Sequence, residues 1–291
     1  MRTATEAGLR HQEEPWSEDG RAWLFDYCLL PYPVVPASSA LSSRNLLDTA
    51  LRLMNREAEG SALVDRLRAA FGAHRTVWGV TRNTQCGSFS LELYLYRRPH
   101  AAEDLSVQRF AEILAPTTAL LSRVHAGLAW HMFSVQLDAA QLTGKRPALA
   151  TVYSDAVSMS YTLRDDVPEL ANHYDFHHPQ RGIDAILEQL AASVHAPTTP
   201  AALVDRLPPQ LQRCYHVCVA QKRDADAIYH SRVSTEQLLF FLHKHGWPAT
   251  FKDLLTDNHA AFRHLLWDIG ASYQRGVGQL VWPKSGVYGS F

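Results

Sequence analysis

Polar and apolar side chains alternate along Ser90-Leu91-Glu92-Leu93-Tyr94-Leu95-Tyr96. A period of two is that of a β-strand whose faces differ. Leu91, Leu93 and Leu95 form one face and require a hydrophobic layer. Ser90, Glu92, Tyr94 and Tyr96 form the other and require water or a ligand. Thr76–Arg82 reads as the preceding strand, joined to it across Asn83–Gly87.

The pattern recurs along the chain. Strand His131–Leu137 leads through Thr143-Gly144 to Leu149–Tyr153, and Val157–Arg164 turns at Asp165-Asp166 into Glu169–Phe176. Cys214–Gln221 turns at Arg223–Asp226 into Ala227–Val233, and a last pair runs over Ser272–Gly276 and Leu280–Ser290. Between the pairs the apolar period changes to that of a helix. Leu46, Leu47, Leu51 and Met54 predict a helix over Ser43–Glu57, and Leu63, Val64, Leu67 and Phe71 one over Ala62–Phe71. Phe110, Ile113 and Leu114 predict another near Leu105–Leu114, and Ile183, Ile186, Leu187 and Leu190 a fourth. Ser234 caps a fifth, with Gln237 in the capping-box position, and a sixth is expected near Ala260–Ile269.

About ten strands in five antiparallel pairs, with helices between most pairs, define an α+β protein. Single strands do not alternate with single helices, so a doubly wound parallel sheet is not expected. The strands keep one polar face throughout: Ser158, Ser160, Thr162 and Arg164 on one, Asn172 and Tyr174 on the next. A flat sheet with helices on one side would expose that face to water. A closed antiparallel barrel ringed by helices would turn it inward and enclose a ligand-sized cavity.

Composition narrows the setting. The 291 residues are 46% hydrophobic and 20% charged, with a formal net charge of -1, so no overall field favours nucleic acid or an anionic membrane. No apolar run approaches the roughly 20 residues of a membrane span, and Met1–Arg21 has no signal-peptide core. The expected location is the cytoplasm. Residues 1–22 read as a flexible tail, Pro31–Pro36 as an extended connector, and 23–291 as one barrel domain. Cys28, Cys86, Cys214 and Cys218 show no CxxC and no zinc spacing and are expected to be reduced thiols, with Cys214 and Cys218 facing the same way on one strand. No GxGxxG or P-loop stands at a strand-to-helix junction.

Four short stretches carry a family resemblance. Ser88-Phe89-Ser90-Leu91-Glu92-Leu93 resembles the early S-x-E-L strand of the aromatic prenyltransferases of the αββα (ABBA) barrel type. His131-Met132-Phe133-Ser134-Val135 is similar to their M-F-x-[IV] strand, Leu170-Ala171-Asn172-His173-Tyr174 to their N-x-Y strand, and Lys284-Ser285-Gly286-Val287-Tyr288 to their terminal K-x-G-x-Y. The final residues, through Phe291, also resemble the branch that prenylates ribosomal cyanobactin peptides. The resemblance spans most of residues 40–291. It implies an αββα-repeat barrel that moves an allylic isoprenyl group from its diphosphate to a peptide side chain or a small aromatic such as an indole or phenol.

The resemblance further implies that Asn172, Tyr174 and Lys284 bind the diphosphate. Lys145 or Arg146 would add a cation, and Tyr229 or Arg232 lies nearest the family's arginine on the strand like Ala227–Val233. Some members carry a magnesium-binding aspartate two residues after the glutamate. Here that residue is Tyr94, which implies no protein-ligated metal and leaves Mg2+ to arrive on the diphosphate. Diphosphate departure leaves an allylic cation that needs preset positive charge at the leaving group and exclusion of water. Tyr94, Tyr96, Tyr153, Tyr174, Tyr229, Tyr273 and Tyr288 are the candidates to shield that cation with their π faces. Glu92 is the candidate to accept a proton or a hydrogen bond from the acceptor.

Two other readings stand beside this one. His173, Asp175 and His177 share one strand face, a set of ligands for a metal-dependent enzyme, on the face opposite Asn172 and Tyr174. A barrel that binds an apolar ligand without catalysis is the other.

Overall fold

Ten strands pair in an unbroken antiparallel circuit. They are β3 (Thr76–Asn83), β4 (Phe89–Tyr96), β5 (Met132–Leu137), β6 (Ala150–Tyr153), β7 (Met159–Arg164), β8 (Val167–His177), β9 (His216–Lys222), β10 (Asp226–Val233), β11 (Trp267–Arg275) and β12 (Leu280–Ser290). Neighbours in sequence are neighbours in space, and β12 pairs back onto β3 to close a barrel. The computed structural model describes residues 24–25, 31–32, 41–71, 76–96, 106–121, 130–154, 158–164, 167–277 and 279–290. The expected tail, Cys28 and Pro33–Pro36 lie outside the described residues. A separate two-stranded sheet joins β1 (Leu24–Phe25) to β2 (Pro31–Tyr32).

Eight helices surround the barrel among the described residues: α1 (Arg44–Leu53), α2 (Glu57–Phe71), α3 (Val107–Leu114), α4 (Pro179–Ala191), α5 (Pro200–Arg206), α6 (Thr235–Lys244), α7 (Ala249–Asp257) and α8 (His259–Phe262). The connections within the hairpins leave one end of the barrel, and the helices lie in connections at the other: before β3 and between β4 and β5, β8 and β9, and β10 and β11. These ends are called here the hairpin end and the helix end. Ser106, Thr199 and Ser234 each accept a first-turn N–H, and Gln237 completes the expected capping box on α6.

Alternation along the strands divides the apolar residues into two bodies. Leu91, Leu93, Leu95, Phe133, Val135, Leu137, Val217 and Val219 point outward and pack under the helices with Leu46, Leu51, Leu63, Phe110 and Leu242 in the outer core. Each such side chain, once buried, stabilises the fold by about 1.5–3 kcal/mol. A second cluster lies inside the circuit and holds Tyr94, Tyr96, Tyr153, Tyr174 and Tyr288. Indole donors tie helices to the outer wall: Trp78 Nε1 donates to Ser43 Oγ at 3.2 Å, and Trp247 Nε1 to Ser285 Oγ at 2.9 Å. Arg206 is buried behind α5, donates to the carbonyls of Ala202, Leu190 and Pro197, and lies 5.1 Å from the ring centre of Tyr273.

Of the helix expected near Ala260–Ile269 only a first turn forms. α8 ends at Phe262, and β11 begins at Trp267. Phe262, Leu265, Leu266 and Ile269 fall at helical spacing, but Trp267, Ile269 and Ala271 also alternate with Asp268, Gly270 and Ser272. Pairing with β10 on one side and β12 on the other decides for the strand. The first expected helix is shorter than Ser43–Glu57, because Asn55, at φ 55°, breaks it and α2 starts at Glu57. Cys214 precedes β9 and joins the outer core, whereas Cys218 faces inward, so the two do not share a face. No helix among the described residues is long and apolar enough to cross a membrane.

Two buried histidines lie on the outer wall beneath α6. His230 of β10 is 2% exposed, and neither ring nitrogen has a hydrogen-bond partner among the described residues. His245 is wedged between the rings of Phe241 and Trp282, at 4.4 and 4.9 Å. Burial lowers both to about 3. An unfolded histidine titrates near pH 6.5, so between about pH 6.5 and 3 the unfolded chain binds protons that the folded chain refuses. Stability is therefore complete above that window and falls as the pH drops through it. The two sites contribute a slope of up to about 2.7 kcal/mol per pH unit. Urea unfolding between pH 7 and 4.5 should show stability falling with pH, with a further contribution from His216, lowered to about 4, and His230→Leu should reduce the slope by up to about 1.4 kcal/mol per pH unit.

Candidate active site

The inward face carries a belt of five tyrosines, one from every second strand: Tyr94 on β4, Tyr153 on β6, Tyr174 on β8, Tyr229 on β10 and Tyr288 on β12. Their ring centres follow one another around the lumen. The spacings are 6.5 Å from Tyr229 to Tyr288, 5.7 Å to Tyr94, 6.3 Å to Tyr153 and 5.9 Å to Tyr174. The intervening strands supply small residues in register. Tyr229 lies opposite Gly270, Tyr288 opposite Gly79, Tyr94 opposite Ser134, Tyr153 opposite Ser160 and Tyr174 opposite Ala220. Large and small side chains thus alternate round the wall. A Cβ at Gly270 would stand 2.1 Å from the Tyr229 ring, and one at Gly79 2.5 Å from that of Tyr288. One edge of each ring occupies the space that a side chain on the next strand would take.

Toward the hairpin end the lumen becomes charged. Lys284 Nζ donates to Glu92 Oε1 at 2.8 Å and to Gln136 Oε1 at 3.1 Å. The Tyr94 hydroxyl donates to Glu92 Oε2 at 2.8 Å, so both carboxylate oxygens are occupied. Burial acts to raise the Glu92 pKa, but the Lys284 ammonium and its hydrogen bond, the Tyr94 hydroxyl and the charge of Lys222 outweigh it and hold the carboxyl below its ordinary value. Glu92 is therefore an anion and a hydrogen-bond acceptor rather than a ready base. Lys222 Nζ lies 3.4 Å from Tyr229 Oη and 3.3 Å from Ser272 Oγ. Burial and the like charge of Lys284 lower it to about 8. Asn172 Nδ2 donates to Tyr174 Oη at 2.8 Å and Ser160 Oγ at 3.0 Å, and the Tyr153 hydroxyl meets Ser134 Oγ at 3.2 Å. Burial raises the Tyr153, Tyr174 and Tyr288 phenols, which stay neutral.

Of the residues singled out in the sequence, Glu92, Asn172, Lys284 and six tyrosines (Tyr94, Tyr96, Tyr153, Tyr174, Tyr229 and Tyr288) come together in the lumen. Three do not. Tyr273 faces outward, between Trp282, at 5.9 Å, and Arg206, because it sits at the outward parity of β11 with Ile269 and Ala271. Arg146 is an exposed residue of the β5–β6 turn that pairs with Asp138 of the same turn. Arg232 lies at a β-bulge near the helix end, at φ 56°, with its guanidinium 4.0 Å from the ring centre of exposed Tyr215. It stands six residues from the Asp226 end of β10, a span of about 20 Å along a strand, far from the lysines.

His173, Asp175 and His177 face away from the lumen. His177 Nε2 and the Asp175 carboxylate both bond the Gln189 amide of α4, and His173 Nδ1 lies 3.4 Å from Asp175. Among the described residues no group of three His, Cys, Asp or Glu side chains is placed to hold a metal. The sequence pattern did not single out Lys222, nor Gln136 and Ser272, which contact Lys284 and Lys222. The signal for Lys222 was parity with Cys218 and Ala220, hidden because the strand was ended one residue early, at Gln221.

No protein-family model and no curated protein matches this sequence. Fold and lumen define the class: a closed ten-stranded α+β barrel whose interior is charged toward one end and aromatic toward the other. The belt yields a direct test. Gly270→Ala should push the Tyr229 ring off the wall and cost about 1–3 kcal/mol of stability, measured by denaturant unfolding. Gly182→Ala, where an added Cβ meets nothing within 4 Å, serves as the control.

Proposed function

We propose that this chain is a prenyltransferase that moves an allylic isoprenyl group from its diphosphate to an electron-rich acceptor, within the barrel and in the cytoplasm. The observation that carries the reading is the division of the lumen: Lys284, Lys222, Gln136 and Ser272 toward the hairpin end, and a continuous belt of tyrosine rings beyond them. A prenyl diphosphate has the same division. Its leaving group would face the two ammonium groups, and its hydrocarbon chain the rings.

In this reading Lys284 and Lys222 stabilise the charge that grows on the departing diphosphate. Asn172 and the Tyr174 hydroxyl, already bonded to each other, supply further polar contacts. The tyrosine faces attract the allylic cation and keep water from it. Glu92, held anionic by Lys284 and Tyr94, accepts a hydrogen bond from the acceptor's N–H or O–H and so raises its electron density. Two lysines against one glutamate leave one positive charge for a diphosphate. Mg2+ bound to the donor would supply the rest of the neutralisation. The acceptor is a peptide side chain, as in the cyanobactin branch, or a small aromatic of the indole or phenol type.

The purified chain, incubated with allylic diphosphates and a panel of cyclic peptides and small aromatics, with and without Mg2+, should yield prenylated product. Lys284→Ala should lower turnover by roughly 10²–10³-fold, the scale of one lost charge-stabilising donor. Absence of product and of diphosphate binding for every donor length would refute the reading. Tight binding of an apolar ligand without turnover, unchanged in Glu92→Ala and Lys284→Ala, would favour a carrier barrel instead.

A further inference from the structure

Lys222 differs from the other lysines of the chain. There are five: Lys145, Lys222, Lys244, Lys252 and Lys284. Lys284 is paired with Glu92 and Lys244 with Asp205, while Lys145 is exposed on a turn. Lys222 makes no ion pair among the described residues. The only hydrogen bonds of its Nζ there are the two long contacts with the hydroxyls of Tyr229 and Ser272. The side chain is half-buried, and its residue also lines a pocket of about 280 Å³ at the hairpin end, with Thr162, Glu169, Ala171 and Asp224. That volume lies near the lower limit of ligand pockets, about 300 Å³, and leaves room for a small carbonyl compound.

We propose that Lys222 is a nucleophilic amine that forms an imine with small aldehydes or ketones entering this pocket. The amine lone pair attacks the carbonyl carbon, a C–N bond forms, and a proton passes from nitrogen to oxygen to give a carbinolamine. The Tyr229 hydroxyl, 3.4 Å from Nζ, donates its proton to the carbinolamine oxygen as the C–O bond breaks and water leaves. The iminium nitrogen then returns a proton to Tyr229. Amine and carbonyl give imine and water, with no further reagent.

Two features favour this chemistry over simple ion pairing. A lysine desolvated beside a second cation has a larger free-amine fraction at neutral pH, and Lys222 has both burial and Lys284 acting on it. The contacts that hold Nζ are to hydroxyls, which can donate to the lone pair of a neutral amine as well as accept from an ammonium. The proposal stands apart from prenyl transfer, since it needs no diphosphate and is read without turnover.

The test is reductive trapping on the full chain. The protein is incubated at pH 7 with acetaldehyde and sodium cyanoborohydride, digested, and each lysine peptide quantified by mass spectrometry. Lys222 should be alkylated at least tenfold faster than exposed Lys145, and its rate should level off above about pH 8. Lys222→Arg should lose this fast site while Lys145 labels as before. Labelling of Lys222 no faster than Lys145, or only in denaturant, would overturn the proposal whatever the outcome of the transfer assays.

Discussion

The seam between β12 and β3 is the constraint on which the interior depends. Lys284 pairs with Asn83 and Ser290 with Val77, without a slip between them. This closure decides whether the wet faces of ten strands look onto bulk water or onto one another. Helices brace both sides of the seam from outside, through Trp78 on Ser43 and Trp247 on Ser285. With the circuit closed, Glu92 and Lys284 meet although 192 positions separate them in the chain. Charge attraction between them is strengthened by the surrounding protein, so the pair and the seam support each other.

The five hairpins divide the labour evenly. In each, the second strand brings a tyrosine and the first a small residue, and the next hairpin repeats the arrangement. Such an alternation lets each large ring occupy the space beside a small residue of the adjoining strand, which is how side chains fill a barrel interior. The hydroxyls of Tyr94, Tyr153 and Tyr174 are each bound by a lumen side chain, which fixes the orientation of those rings. Under the proposed transfer, that rigidity would let the belt face a cation without first having to reorganise.

Much of this was legible in the chain because β-strand alternation is local. The polar parity of Ser90, Glu92, Tyr94 and Tyr96 needed no partner to be seen, and the same held for Asn172 with Tyr174. What was not legible depended on neighbours. Phe262, Leu265, Leu266 and Ile269 fit a helix until β10 and β12 claim Trp267–Arg275. That misreading also hid the parity that turns Tyr273 outward. Arg232 has the right charge, but a bulge and a position near the helix end send it to Tyr215. Lys222 borders a polar turn in sequence, and only the cross-strand contact with Ser272, 50 positions away, shows it as a lumen residue.

The two glycine-backed rings make the barrel unequal around its circumference. Behind Tyr229 and Tyr288 the wall is backbone alone, so the room available to a guest is governed from behind the ring as well as by the ring itself. One methyl group at position 270 would shift the Tyr229 ring inward without changing the identity of any group in the lumen, whereas one at position 79 would press on Glu92 as well as on Tyr288. Bore and chemistry are therefore separately adjustable: the same charged layer could serve guests of different girth through changes at residues that would appear in no list of ligand contacts.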